Sequence, residues 1–296
     1  MRAASDGDMT GYGQLSGRMG IMQGRLLPPV NGRIQCFPAD RWREEFALAA
    51  KAGLSRIEWI FETWGHDANP IASDEGTKEL KALSARHDVR IDSLCADYFM
   101  EKPLLRAAPE DLRVRKQTLE WLLARCTSAG IGRVVLPFVD TSGIGTDEEL
   151  DAVAGTLRDL VDTIRGTGVE IHLETSLDPR KFGRLLNQLP APFFKVNYDS
   201  GNSASLGYDQ SEESASYGDR IGSVHVKDRL LMGTTVSLGE GHVDWRALGA
   251  CLKKVAYSGD LILQVARGED GDEVDWARHN LAVLPALMGW TTEDRT

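Results

Sequence analysis

The feature that most constrains this chain is an alternation. Short apolar, β-branched runs recur between longer segments of helical periodicity, and they do so eight times. The runs begin near Arg18 (RMGIM), Ser55 (SRIEWI), Arg90 (RIDSLCA), Gly132 (GRVVLP), Val169 (VEIHLE), Phe194 (FKVNYD), Gly222 (GSVHVKD) and Asp260 (DLILQV). Their mean spacing is about 35 residues, the size of one strand–helix unit, and such alternation implies parallel pairing. Eight units in 296 residues predict an α/β fold, a single closed (β/α)8 TIM barrel. No linker or composition break divides the chain, so residues 18–296 are expected to form one domain. Residues 1–17 are polar and glycine-rich, have no apolar core of a signal peptide, and are expected to be a flexible arm.

The segments between the runs carry helix signals. Pro38 and Gly53 bracket one helix in the usual Pro-first, Gly-last order. Leu119, Leu122, Leu123 and Cys126 fall at i, i+3, i+4 and i+7, one apolar stripe. Thr146 and Glu149 suit a capping box ahead of an apolar face running from Leu150 to Ile164. Asp178 before Pro179, and Asp244 before Trp245, suit N-caps. The segment from Gln210 to Tyr217 is polar and predicts the weakest helix.

Composition narrows the function. The formal net charge is −10, from 34 basic against 44 acidic residues. An acidic surface without a basic run argues against nucleic acid as a partner. No apolar run reaches the roughly 18 residues of a membrane span. Cys36, Cys95, Cys126 and Cys251 are scattered, which suits buried thiols in a reducing compartment. A cytoplasmic protein acting on small molecules is expected.

In a barrel the chemistry lies at the C-terminal strand ends. The polar residues there are Gln23, Glu58, Asp97, Glu174, Asp199, His225, Lys227 and Gln264. Glu174, Asp199 and His225 lie on three successive strands and can converge at the mouth. Two carboxylates and an imidazole suit a hard or borderline divalent cation: Mn²⁺, Mg²⁺, Co²⁺ or Zn²⁺. The bland alternative is three unrelated strand-end polar groups. Trp59, Phe61, Trp64, Tyr98 and Phe99 could wall a sugar's carbon face or simply cover the barrel mouth.

The runs HLET (His172 to Thr175), NYDSGN (Asn197 to Asn202), HVKD (His225 to Asp228) and LGEGHVDW (Leu238 to Trp245) resemble the xylose-isomerase-like barrels. That family contains sugar and sugar-phosphate isomerases and epimerases, and inosose dehydratases and a DNA-repair endonuclease branch are relatives. The resemblance implies a divalent metal held by Glu, Asp, His and Glu on strands five to eight. Glu174, Asp199 and His225 match the first three. The fourth position is Gln264, a departure that makes ligands plus cation neutral and removes one proton-transfer group. The resemblance further implies proton abstraction α to a carbonyl through a metal-stabilised enediolate. Glu174 would be the base, sufficient alone for a 1,2 aldose–ketose shift. Epimerisation would need a second acid, with Glu58, Asp97 or Glu240 as candidates.

Lys227 is a candidate catalytic or substrate contact; the alternative is an ion pair with Asp228. Glu58, Asp97, Asn202, Glu240 and Arg267 are candidate substrate contacts, with Arg267 placed to meet an anion. The nuclease branch is disfavoured because positions that would carry extra metal ligands hold Asn202, Gly233 and Thr235. An inosose-type dehydratase and a non-catalytic sugar-binding barrel remain as alternatives, the second because of Gln264. A sugar or sugar phosphate is the expected partner, and a homo-oligomer is compatible with the family.

Overall fold

The computed structural model describes residues 17–268 and 271–290. The predicted arm therefore lies, apart from Gly17, outside the described residues. The strands are β1 (Met19–Met22), β2 (Arg56–Ile60), β3 (Ser93–Cys95), β4 (Arg133–Phe138), β5 (Glu170–Thr175), β6 (Phe194–Asp199), β7 (Ile221–Val226), β8 (Asp228–Arg229), β9 (Thr235–Val236) and β10 (Leu261–Leu263). All eight predicted strands are present. They close in chain order, with β10 parallel to both β7 and β1. The extra pair, β8 and β9, is a small antiparallel hairpin between β7 and β10. The fold is a single (β/α)8 TIM barrel.

The helices pack where their apolar stripes predict. Leu119, Leu122, Leu123 and Cys126 of the helix Pro109–Ala129 are all fully buried. Asp178 accepts from the backbone N–H groups of Arg180 and Lys181, and Asp244 from that of Ala247. Gly53 ends its helix, Glu44–Ala52, at φ 83°. Three expectations are adjusted. The Pro38 segment begins as separate turns, and the α-helix starts only at Glu44. Thr146 caps the Glu149 N–H as expected, but the main backbone donor to the Glu149 carboxylate is Gly145 N rather than Thr146 N. The helix expected to run to Ile164 breaks at Leu160 into Asp147–Asp159 and Val161–Thr167. The polar helix Gln210–Tyr217 docks by a different route. Buried Glu213 takes hydrogen bonds from Tyr198, Ser203 and Tyr217, a polar lock in place of an apolar face.

Ion pairs close the N-terminal end of the barrel. Arg56 Nε lies 2.9 Å from Asp92 and 2.8 Å from Asp260, and Arg133 also pairs with Asp260. The opposite end is shaped by the loop after β1. Gly24 sits at φ 80°, and a Cβ there would come within 2.4 Å of the Cys36 carbonyl oxygen, so only glycine fits. Its N–H donates to Glu45 Oε1 at 2.6 Å, which ties the loop to the helix Glu44–Ala52.

Glu45 is fully buried, and burial pushes its carboxyl up to about 8 despite the Gly24 bond. Its folded pKa lies above the unfolded value. The associated stability is therefore full below about pH 4.5 and is lost as pH rises toward 8, by on the order of a few kcal/mol. Glu45→Gln keeps an acceptor for Gly24 and cannot ionise. Urea midpoints at pH 5 and pH 8.5 should show the parent losing stability relative to this variant as pH rises; parallel profiles would refute the assignment.

Candidate metal centre and substrate cavity

Strand periodicity of two sends His172 and Glu174 of β5, Asn197 and Asp199 of β6, and Ser223 and His225 of β7 to the barrel interior. All but Asp199 join in one hydrogen-bonded chain, and Asp199 is tied to it through Asn202. His172 lies 3.1 Å from Glu170 on one side and 2.8 Å from Ser223 on the other. Ser223 Oγ donates to Asn197 Oδ1 at 2.7 Å. Asn197 Nδ2 lies 3.1 Å from both Glu174 Oε2 and His225 Nδ1. A register shift between Val196 and Asn197 accompanies this inward turn of β6.

His225 is the hub. Its Nε2 bonds Glu58 Oε1 at 2.6 Å, and both residues are fully buried. Its Nδ1 lies 3.4 Å from Glu174 Oε2 and 3.9 Å from Asp199 Oδ2. Burial alone would lower the imidazole pKa, but Glu58 and Glu174 outweigh it and hold the ring up to about 10. Burial likewise acts to raise Glu58, and His225 reverses this and holds it below its ordinary value.

Glu174, Asp199 and His225 each offer a ligand atom within 4.8 Å of the other two. The rest of the arrangement fits a cation. A carboxylate on the far nitrogen of a histidine is the usual support behind a metal ligand, and Glu58 occupies that place. Asn202 Nδ2 holds Glu174 Oε1 at 2.7 Å, and the Asn202 N–H holds Asp199 Oδ1 at 2.8 Å. Gln264 donates its Nε2 to Gln35 Oε1 at 3.0 Å, which leaves its own Oε1 buried without a hydrogen-bond partner. An orphaned buried acceptor costs free energy unless a cation or donor meets it.

A cavity of about 750 Å³ opens above these groups, within the usual range for small-molecule sites. Of the sequence candidates, Glu174, Lys227, Gln264, Asp97 and Asn202 line it. Lys227 pairs with Asp199 at 2.7 Å rather than with Asp228. Asp228 is fully buried and instead gathers the N–H groups of Gly239, Gly241 and Val243 and the Trp245 indole.

Three substrate-contact candidates are elsewhere. Glu58 lies beneath His225 and is used up by it. Glu240 is exposed outside the cavity, because Asp228 draws in the N–H groups on either side of it. Arg267 donates to the carbonyls of Ile34, Leu27 and Gly24 and so straps the loop after β1. The aromatic residues do not line the cavity either. Trp59 packs in the core against Phe37, Trp42 and Phe46. The apolar lining is Ile34, Met100, Pro103, Pro137 and Val139.

Sequence reasoning missed Gln35, Arg25 and Asn197. Gln35 Nε2 donates to Asp97 Oδ2 at 2.8 Å, and its Oε1 accepts from Gln264 and, at 3.3 Å, from Arg25 Nη2. The signal was the length and polarity of the segment after β1, since long structured loops often carry function. Asp97 is half-buried on the cavity wall, and desolvation there is the chief cause that raises its carboxyl. Arg25 is lowered to about 9, first by burial and then by the nearby charge of Arg267.

A closed parallel barrel with a carboxylate–imidazole cluster at its C-terminal strand ends defines the class: a TIM barrel with a candidate divalent-metal centre. The sequence model described as xylose isomerase-like TIM barrel matches residues 46–287, and the chain belongs to that family. No curated protein matches the sequence. Solved structures share the fold. An L-ribulose 3-epimerase aligns with a TM-score of 0.72 at 16% identity, covering 92% of this chain and 94% of its own. D-psicose 3-epimerase from Clostridium cellulolyticum H10, determined with D-tagatose, aligns with a TM-score of 0.68 at 15% identity, covering 92% and 99%. The IOLI protein with a bound zinc atom aligns with a TM-score of 0.69 at 17% identity, covering 92% and 98%.

A cation must displace the proton that His225 carries below about pH 10. Mn²⁺ affinity should therefore fall as pH falls, by roughly tenfold per pH unit. Thermal unfolding of chelator-treated protein should show a shift with Mn²⁺, Co²⁺ or Zn²⁺ that weakens from pH 8 to pH 6 and vanishes in His225→Ala. No shift with any ion would overturn the metal assignment.

Proposed function

We propose that this chain is a divalent-metal-dependent isomerase of a sugar or sugar derivative. The observation that carries the reading is Glu174: a carboxylate on the cavity wall, within ligand distance of Asp199 and His225, with Gln264 offering a free amide oxygen nearby. Glu174, Asp199, His225 and Gln264 would hold the cation. When bound, it would stabilise negative charge developing on substrate oxygens.

The chain's own residues account for the proton. Asn197 and Asn202 donate to the two Glu174 oxygens, which fixes the direction of its carboxylate. Glu174 can then take a proton from the carbon α to a substrate carbonyl and return it to the former carbonyl carbon on the same face, while the proton of the adjacent hydroxyl passes to the former carbonyl oxygen. Lys227 lines the cavity and is the donor closest in kind to a carbonyl-polarising group. The apolar lining of Pro137, Val139 and Met100 suits the carbon face of a sugar and displaces water from it.

One base on one face performs a 1,2 aldose–ketose shift. Gln264 cannot exchange a proton near neutral pH, so the two-carboxylate arrangement for epimerisation is incomplete on that strand. A second reading, epimerisation, is favoured by Asp97 alone. Of the three carboxylates considered for the opposite face, it is the one that lines the cavity, and burial keeps its carboxyl raised.

The test is exchange of substrate α-hydrogen with solvent deuterium in the Mn²⁺-loaded protein, across aldose–ketose pairs. Glu174→Gln should lower exchange and turnover by about 10²–10⁴-fold with the thermal midpoint retained. Asp97→Asn should leave isomerisation in place under the first reading and abolish C-epimer formation under the second. Exchange unaffected by Glu174→Gln would refute its role as base, and no exchange with any sugar would favour a binding protein.

A further inference from the structure

The cavity contains a buried cation that the described residues leave without a counter-ion. Arg25 is 7% exposed and lines the cavity wall. Its Nη1 donates to the Val265 carbonyl at 2.6 Å and its Nη2 to Gln35 Oε1 at 3.3 Å, both neutral acceptors. Its Nε is buried with no partner. Among the described residues no carboxylate comes within ion-pair distance of it. The other cavity cations differ: Arg33 pairs with Glu62 at 3.2 Å, Lys227 with Asp199 at 2.7 Å, and Arg229 is taken up by Asn202 and Gly233. The acidic groups whose charge reaches Arg25, Asp97 and Asp199, are already held by Gln35 and Lys227.

A buried guanidinium without a carboxylate partner is costly, and arginines are rarely buried unless paired. The position that could have supplied the partner is Gln264, whose Nε2 donates to the same Gln35 oxygen as Arg25 does. The amide keeps the wall neutral there and leaves the positive charge facing the cavity.

We propose that Arg25 receives an oxyanion carried by the substrate, a carboxylate or a phosphate, so that the substrate class is a sugar acid or sugar phosphate rather than a neutral sugar. This rests on the cavity being the substrate site, as argued above, and it narrows that reading. Planar guanidinium donors match both oxyanions. Anion binding at Arg25 and cation binding at Glu174, Asp199 and His225 would fix a substrate at two points.

The test separates this proposal from the metal reading by measuring binding with and without Mn²⁺. Calorimetry on chelator-treated protein compares D-ribulose with D-ribulose 5-phosphate, and D-glucose with D-glucuronate, with inorganic phosphate and acetate as bare anions. At least one anionic sugar should bind on the order of tenfold or more tighter than its neutral parent at low salt. A phosphate preference and a carboxylate preference distinguish the two sources. Arg25→Gln should erase the preference, and Arg25→Lys should retain part of it. Gln264→Glu places a carboxylate beside the guanidinium, so it should also erase the preference while tightening Mn²⁺ binding. A purely structural Arg25 would not couple the two ligands in opposite directions. Equal binding of charged and neutral sugars, or a preference surviving Arg25→Gln and Gln264→Glu, overturns the proposal. A preference without any Mn²⁺ shift would sink the metal reading and leave this one standing.

Discussion

An eight-stranded barrel has to fill its own interior, and here the filling is polar. The Glu58–His225 bond is the contact on which that interior depends. It joins β2 to β7 across the intervening β1 and β10, with both partners fully buried. Breaking such a pair leaves an uncompensated buried charge, at a cost of several kcal/mol. With Glu58 in place, the imidazole has one orientation, and its second nitrogen faces Glu174 and Asp199. Asn197 then holds Glu174, and Ser223 and His172 anchor Asn197 from below. The direction of every candidate ligand is set by a neighbour that is itself held.

The neutral amide at Gln264 changes the balance of the site in two ways. It leaves Glu174 as the proton-transfer group among the candidate ligands. It also leaves the wall opposite β5 carrying positive charge from Arg25, with no carboxylate of the described residues within ion-pair distance. A carboxylate at position 264 would alter both together, so under the proposed function the proton chemistry and the charge of the ligand would be coupled through one side chain. Asp97, joined to Gln264 through Gln35, belongs to the same wall and is sensitive to the same change.

The fold was legible because its signals are periodic. Strand spacing located all eight barrel strands, and the rule that barrel chemistry lies at C-terminal strand ends brought Glu174, Asp199 and His225 to one mouth. The residues that sequence reasoning misplaced make contacts with no fixed spacing. Glu58 meets a residue 167 positions away. Arg267 looked like an anion receptor because it follows the last strand, yet three backbone carbonyls of a loop more than 230 positions earlier take its donors. Gln35 reads as an ordinary loop amide until β10 and the segment after β3 are brought beside it. The Gln210–Tyr217 helix looked weak because its buried face is a hydrogen-bonded Glu213, which an apolar-stripe criterion does not register. Local pattern places strand ends; only closure of the barrel reveals what reaches across it.

Arg267 has a further consequence, one of timing. The loop that presents Arg25 and Gln35 is made early, but its clasp comes from the segment after β10, as do the Val265 carbonyl that holds Arg25 and the side chain of Gln264. A chain emerging from the ribosome can pair β2 through β7 in order and still lack one wall of its cavity. The cavity wall that carries Arg25 and Gln264 is thus completed late in synthesis, and a chain cut short before residue 264 would keep the Glu174, Asp199 and His225 side chains without the wall that faces them.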